Sequence, residues 1–138
     1  MTIEESQREV VEQFEDIEDW MDRYAYIIDL GNMLDPLPDS LKTPDRLIEG
    51  CQSRVWLDAE LDGEGKVQFR ADSDAIIVKG IISMLVQVLS GHTPQEILDA
   101  DLHFIKDIGL SEHLSPTRSN GLVAMLRQMR AYAAAYNR

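Results

Sequence analysis

The spacing of apolar residues changes along this chain from a helical period of about 3.6 to a strand period of about 2, then back again. That switch limits the fold more than any other feature. Val10, Phe14, Ile17, Met21, Tyr24 and Ile28 recur at spacings of four and three, one stripe along one helix. From Val55 the pattern alternates: Val55, Leu57, Ala59 and Leu61 interleave with Arg54, Trp56, Asp58 and Glu60. Asp62-Gly63-Glu64-Gly65 reads as a turn, and Val67, Phe69 and Ala71 form the apolar face of a second strand. A hairpin with one apolar face must lay that face on a core. The remaining segments are helical, so helices must supply that core. The class is α+β: a small antiparallel sheet with helices covering one face.

Local signals place the element ends. Thr2 with Glu5 is a capping box, and Gly31 reads as the left-handed cap that ends the first helix. Asp35-Pro36-Leu37-Pro38 and Thr43-Pro44 mark an irregular segment. Asp72-Ser73-Asp74 is either a strand end or a helix cap. Ile77, Ile81, Met84, Leu85 and Val88 make a strongly apolar helix closed by Ser90-Gly91. Thr93-Pro94-Gln95-Glu96 starts a short helix ending near Asp99, and a second short helix at residues 102–108 stops at Gly109. Ser115-Pro116 caps a last helix whose stripe is Leu122, Met125, Leu126, Met129, Tyr132, Ala133 and Tyr136. No repeat or low-complexity tract divides the chain, and residues 1–138 read as one domain.

Charge narrows the partners. The chain has 138 residues, 25 acidic against 13 basic, for a net charge of −12. Nucleic acid and anionic membrane surfaces repel such a chain. A protein or a small ligand is the expected partner. The start, Met1-Thr2-Ile3-Glu4-Glu5, lacks the basic and apolar regions of a signal peptide. The apolar run at residues 81–89 is interrupted by Ser83 and Gln87 and is too short to span a bilayer. The expectation is a soluble, cytoplasmic protein, in a compartment where a free thiol stays reduced.

The one cysteine, Cys51, lies in Ile48-Glu49-Gly50-Cys51-Gln52-Ser53-Arg54, at a loop-to-strand junction. One cysteine makes no internal disulfide and cannot supply the several thiolates of an iron–sulfur cluster or a structural zinc site. It is a solitary nucleophile, a solitary acceptor, or an inert core residue. No Gly-x-Ser-x-Gly elbow and no glycine-rich phosphate loop is present. A cysteine hydrolase needs a histidine to take the thiol proton, and His92, His103 and His113 are all distant from Cys51 in sequence. They lack metal-ligand spacing and read as surface residues.

Three blocks of the sequence carry a resemblance. They are Gly50-Cys51-Gln52-Ser53-Arg54-Val55-Trp56, Asp72-Ser73-Asp74-Ala75-Ile76-Ile77-Val78-Lys79-Gly80, and Leu114-Ser115-Pro116-Thr117-Arg118-Ser119-Asn120-Gly121-Leu122. In order and spacing they resemble the signature blocks of the SufE family, sulfur acceptors of iron–sulfur cluster assembly. The similarity extends over nearly the whole chain. One departure is Ser115-Pro116-Thr117-Arg118 where a Thr-Pro-Ser-Arg type is familiar.

The resemblance implies a fold shared with IscU-type scaffolds, with a three-stranded antiparallel sheet whose third strand is residues 72–76. It implies that a pyridoxal-phosphate-dependent cysteine desulfurase passes persulfide sulfur to Cys51, and that this chain stimulates the desulfurase and hands the sulfur to a cluster scaffold. The pyridoxal phosphate belongs to the desulfurase, so this chain is expected to hold no cofactor and no metal. The protein would be a transpersulfidation partner rather than a stand-alone enzyme. Such transfer is thiolate attack on a sulfane sulfur, kin to thiol–disulfide exchange. A free thiol titrates near about 8.5, so a cation or the docked partner must favour the thiolate. Arg118 is the first candidate cation and Arg54 the second. Arg118 also reads as a surface residue at a helix start. Asp74 resembles a family residue near the acceptor, and also reads as a helix cap. Two other functions remain open: an acidic protein-binding adaptor with a structural cysteine, and a cluster scaffold. Cys51 is expected to sit partly buried at rest and to swing out about Gly50 when a partner docks.

Overall fold

The computed structural model describes residues 1–137; Arg138, the last residue of the expected domain, lies outside them. The apolar stripe that reads as one helix folds as two, α1 (Ile3–Glu15) and α2 (Trp20–Asn32). The Thr2–Glu5 capping box opens α1 as expected. The break follows from the acidic run. Asp16 and Glu18 would extend α1 with negative charge at its negative end, whereas Asp19 and Asp22 sit favourably at a new helix start. Asp19 takes that role and accepts a hydrogen bond from Met21 N–H. The carbonyls orphaned at the end of α1 are not wasted on solvent. The Arg23 guanidinium donates to Phe14 and Ile17 carbonyls, and to Ile108 across the fold.

Restarting the helix resets its phase. Met21 is 79% exposed, and Ile27, Leu30 and Gly31 are buried in its place. Gly31 is not a cap: it lies inside α2 and its φ is not positive. It meets Gly80 of α3 (Ile76–Leu89). A Cβ on Gly80 would stand 2.1 Å from the Ile27 carbonyl oxygen, and one on Gly31 would stand 2.7 Å from Gly80 N. The two helices cross backbone to backbone at these glycines.

The hairpin is β1 (Val55–Leu61) and β2 (Val67–Ser73), paired antiparallel with Val55 opposite Ser73 and Leu61 opposite Val67. Val55, Leu57, Ala59, Val67, Phe69 and Ala71 face a core shared with α3 and α7 (Pro116–Tyr136). The opposite face is polar. Asp58 pairs with Arg46 and Arg70, and Asp72 with Lys42 and Lys79. Burial pushes the Asp72 carboxyl upward, but the Ser73 N–H and the two lysines outweigh it and hold it below the usual carboxylate range.

The expected third strand is absent: among the described residues the sheet has two strands. Asp72 and Ser73 end β2, and Ile76 already begins α3. The outer edge of β1 shows why a third is not needed. Short 3₁₀ turns at Asp39–Leu41 and Pro44–Arg46, followed by the Gly50 turn, leave only Leu47 bridging Trp56. Ile48 N–H donates to the Val55 carbonyl at 2.8 Å. The next outward carbonyls, Leu57 and Ala59, accept from the Tyr132 and Tyr136 hydroxyls at 3.1 and 3.0 Å. Tyrosines one helical turn apart match carbonyls two strand residues apart. The outer edge of β2 is closed likewise: Val67 exchanges hydrogen bonds with His92 and Gly91, and Phe69 N–H reaches the Ser90 hydroxyl.

Between α3 and α7 run α4 (Pro94–Asp99), α5 (Phe104–Asp107) and α6 (Leu110–His113). The Thr93–Glu96 capping box and the Ser115-Pro116 start form as the sequence predicts. No helix among the described residues is long and apolar enough to cross a membrane.

Candidate functional site

Cys51 sits in the loop between Ile48 and Val55, whose ends are closed by the Ile48–Val55 backbone hydrogen bond. Glu49-Gly50 turn the chain sharply. Gly50 has φ 92°, a left-handed conformation that glycine adopts without strain, and its missing Cβ would stand 3.3 Å from the Ala124 Cβ. The loop is therefore laid across α7. At its far end Asp74 fixes the exit. Arg54 N–H donates to the Asp74 carboxylate at 3.0 Å, and Asp74 N–H donates back to the Arg54 carbonyl at 3.2 Å. The Ser73 hydroxyl donates to that same carbonyl at 2.8 Å and accepts from Ala75 N–H. Asp74 is thus not a helix cap: the N-cap position of α3 is Ala75, which makes no capping side-chain bond.

Held this way, Cys51 is half-buried. Its thiol donates to the Gly121 carbonyl of α7 across 3.6 Å. It lines a cavity of about 240 Å³ together with Gln52, Ser53, Val78, Ile81, Ser115, Thr117, Arg118, Gly121 and Met125. Val78, Ile81 and Met125 form an apolar wall. Ser115, Thr117 and Arg118 come from the start of α7, where Ser115 caps the helix by accepting from Arg118 N–H. The residues before that start are themselves anchored: Tyr24 donates to the His113 carbonyl, and the His113 ring stacks on Trp20 at 3.8 Å between centroids. Burial pushes the Cys51 thiol above its ordinary value. In this arrangement the sulfur rests as a protonated thiol.

The structure brings Cys51 and Arg118 into one cavity. It brings Asp74 and Arg54 together through the backbone of Arg54. The Arg54 side chain is exposed and is not part of the cavity lining. No histidine lines it either. His92 is buried against β2, His103 lies between Glu4 and Asp107, and His113 stacks on Trp20. His92 and His103 are therefore not the free surface residues that their sequence suggests. The base that a cysteine hydrolase requires is not beside this thiol. No group of three or more His, Cys, Asp or Glu side chains is arranged to hold a metal ion among the described residues. Sequence reasoning missed the apolar wall and Gly121. Val78, Ile81 and Met125 look like ordinary core positions. Gly121 falls inside the third block of the resemblance, and its physical signal is a glycine in the sixth position of a long helix, a place where glycine is unfavourable.

A single free thiol on a loop, tucked against the first turns of a long helix beside a two-stranded hairpin, defines a small α+β protein with one half-buried cysteine. The chain matches the profile of the SufE family, described as an Fe–S metabolism associated domain, over residues 8–133, and it belongs to that family. Its fold is similar to the solution structure of a hypothetical protein from Thermus thermophilus, with a TM-score of 0.77, 23% identity and 95% of each chain covered.

Proposed function

We propose that this chain is a sulfur acceptor and carrier in iron–sulfur metabolism, with Cys51 as the acceptor. The observation that carries the reading is the lone, half-buried thiol in a cavity with an apolar wall, whose lining also includes the exposed Arg118. A cysteine desulfurase, whose own pyridoxal phosphate does the carbon–sulfur chemistry, presents a persulfide. The Cys51 thiolate attacks its outer sulfur. The sulfur–sulfur bond of the desulfurase persulfide breaks, a new one forms on Cys51, and the desulfurase thiolate leaves with the electron pair. Nothing is oxidised or reduced in net terms, so this chain requires no cofactor of its own. The absence of a second cysteine supports carriage, because no internal thiol can resolve the persulfide to a disulfide. An iron–sulfur scaffold would then take the sulfur by the same exchange.

At rest the thiol is protonated and tucked, so the partner must draw it out. Gly50 is the place where the loop can turn, and Arg118 with the start of α7 is where a sulfur anion finds positive charge. Asp74 and Arg54 act through the loop backbone rather than on the sulfur. In a desulfurase assay that reads sulfide or alanine release, the wild-type chain is expected to stimulate turnover, while Cys51→Ser should bind the desulfurase and give no stimulation. Normal stimulation by Cys51→Ser would point instead to an acidic adaptor with a structural cysteine.

A further inference from the structure

Gly121 lies in the interior of α7, where glycine is less stable than alanine because it orders a more flexible backbone. Glycines in helices are usually explained by crowding, as Gly80 is here. Gly121 is different. Among the described residues, the one atom that a Cβ there would meet within 4 Å, outside its own neighbours in the helix, is Cys51 Sγ, at 3.6 Å. That is ordinary van der Waals contact. The resting thiol leaves room for a methyl group, so the resting state does not explain the glycine.

We infer that the bare Cα of Gly121 is the seat of the outer sulfur when Cys51 carries a persulfide, which makes Gly121 a positioning residue for the loaded state. The inference rests on the sulfur-acceptor reading. An outer sulfur sits about 2.05 Å from Sγ, so one turned toward α7 would overlap a Cβ placed 3.6 Å from the same Sγ. The anion has a reason to turn that way. A persulfide is a stronger acid than its thiol and is charged near neutrality. The facing wall, Val78 and Ile81 of α3, offers no donor side chain, whereas Ser115, Thr117 and Arg118 lie at the start of the same helix as Gly121. Gly121 lies three residues beyond Arg118 and is the α7 residue whose carbonyl the thiol already meets. Turned there, the outer sulfur is covered by the helix and shielded from thiols in solution.

The test separates this from the acceptor reading by loading the protein without a desulfurase. In inorganic polysulfide, the Cys51 thiolate attacks a sulfane sulfur, and a polysulfide dianion one sulfur shorter leaves. Wild type and Gly121→Ala are loaded so, freed of excess reagent, and challenged with dithiothreitol while the persulfide is followed by mass. Gly121→Ala is expected to lose its outer sulfur about fivefold faster, the equivalent of a modest loss of shelter. Its unloaded thiol should alkylate at the wild-type rate, and its Tm should equal or exceed wild type. Equal persulfide lifetimes would overturn the inference. So would a parallel change in thiol alkylation, since the methyl would then be displacing the cysteine itself, and so would failure of the variant to fold. If wild type loads from polysulfide but never from a desulfurase, the acceptor reading fails and the Gly121 comparison still stands.

Discussion

Asp74 and Arg54 exchange two hydrogen bonds, carboxylate to amide at 3.0 Å and amide to carbonyl at 3.2 Å, and so close the loop that carries Cys51. The bonds join the first turn before α3 to the first residue before β1. Neither residue lines the cavity around the sulfur, and the pair is expected to set how freely the Cys51 loop opens.

Asp74→Ala removes the carboxylate half of this latch and leaves the Ser73 hydroxyl bond. The loss should lower stability by about 0.5–1.5 kcal/mol, the usual worth of one hydrogen bond. Alkylation of Cys51 by iodoacetamide should rise by about fivefold as the loop opens more often. Unchanged alkylation in a folded variant would remove Asp74 from control of the loop.

The Cys51 pH profile follows from burial. The folded thiol titrates above its unfolded value, because desolvation disfavours the thiolate. Alkylation of the native protein should therefore have a midpoint above the ordinary value of about 8.5, and unfolding in urea should bring it back there. The sign for stability is fixed too. The folded state holds its proton more tightly, so this contribution is complete below about pH 8.5 and is lost as pH rises through the folded value. A native midpoint below that of the urea-unfolded chain would contradict the burial argument.

Arg118 shares the cavity with Cys51, but burial alone sets the direction of the resting thiol's shift. Its effect should appear when a sulfur anion forms. Arg118→Ala is expected to leave the alkylation midpoint of the free protein in place and to slow sulfur acceptance from a desulfurase about tenfold, roughly 1.4 kcal/mol. Arg118→Lys should recover part of the rate. Equal acceptance by all three proteins would make Arg118 a surface residue only.

Two helical glycines should respond oppositely to alanine. Gly80→Ala places a Cβ 2.1 Å from the Ile27 carbonyl oxygen, so α2 and α3 must separate. A loss of about 1–3 kcal/mol in urea unfolding is expected, despite alanine's better helix propensity. Gly121→Ala has no backbone in its way and should not lose stability.

His103 stands between Asp107 and Glu4, and hydrogen bonds to these two carboxylates raise its titration above the usual histidine value. The group ties α1 to α5 while protonated. Its contribution is complete below about pH 6.5 and is lost as pH rises through the folded value. The Tm difference between wild type and His103→Gln should accordingly be larger near about pH 5.5 than near about pH 8.5. A difference that does not vary with pH would contradict the ionic role.

Much of this architecture is legible in the residues, and what is not has identifiable causes. The hairpin and its inner face are written in the alternation from Val55 to Ala71, and the α4 and α7 starts in their caps. The break between α1 and α2 is hidden because Val10 through Ile28 keep an unbroken apolar spacing. Only the acidic cluster around Asp19 marks the restart. Gly31 carries the same letter whether it caps a helix or lets another backbone approach, and only Gly80 on a distant element decides. The third strand expected at residues 72–76 is absent because Asp72 and Ser73 already belong to β2 and Ile76 begins α3, while Tyr132 and Tyr136 bond the outer β1 carbonyls with side chains, a contact no local pattern announces. At the site, Cys51 and Arg118 stand out as chemistry-bearing residues, and both line one cavity. The cavity wall of Val78, Ile81 and Met125 reads as core, and Gly121 has no side chain to give it away.

Sulfur acceptance by Cys51 is tested most directly by peptide mass spectrometry. The protein is incubated with an active cysteine desulfurase and cysteine, then digested without reductant. The peptide containing Cys51 is expected to gain the mass of one sulfur atom, removed by dithiothreitol and absent from Cys51→Ser. A wild-type chain that binds and stimulates the desulfurase yet never gains sulfur on Cys51 would contradict it.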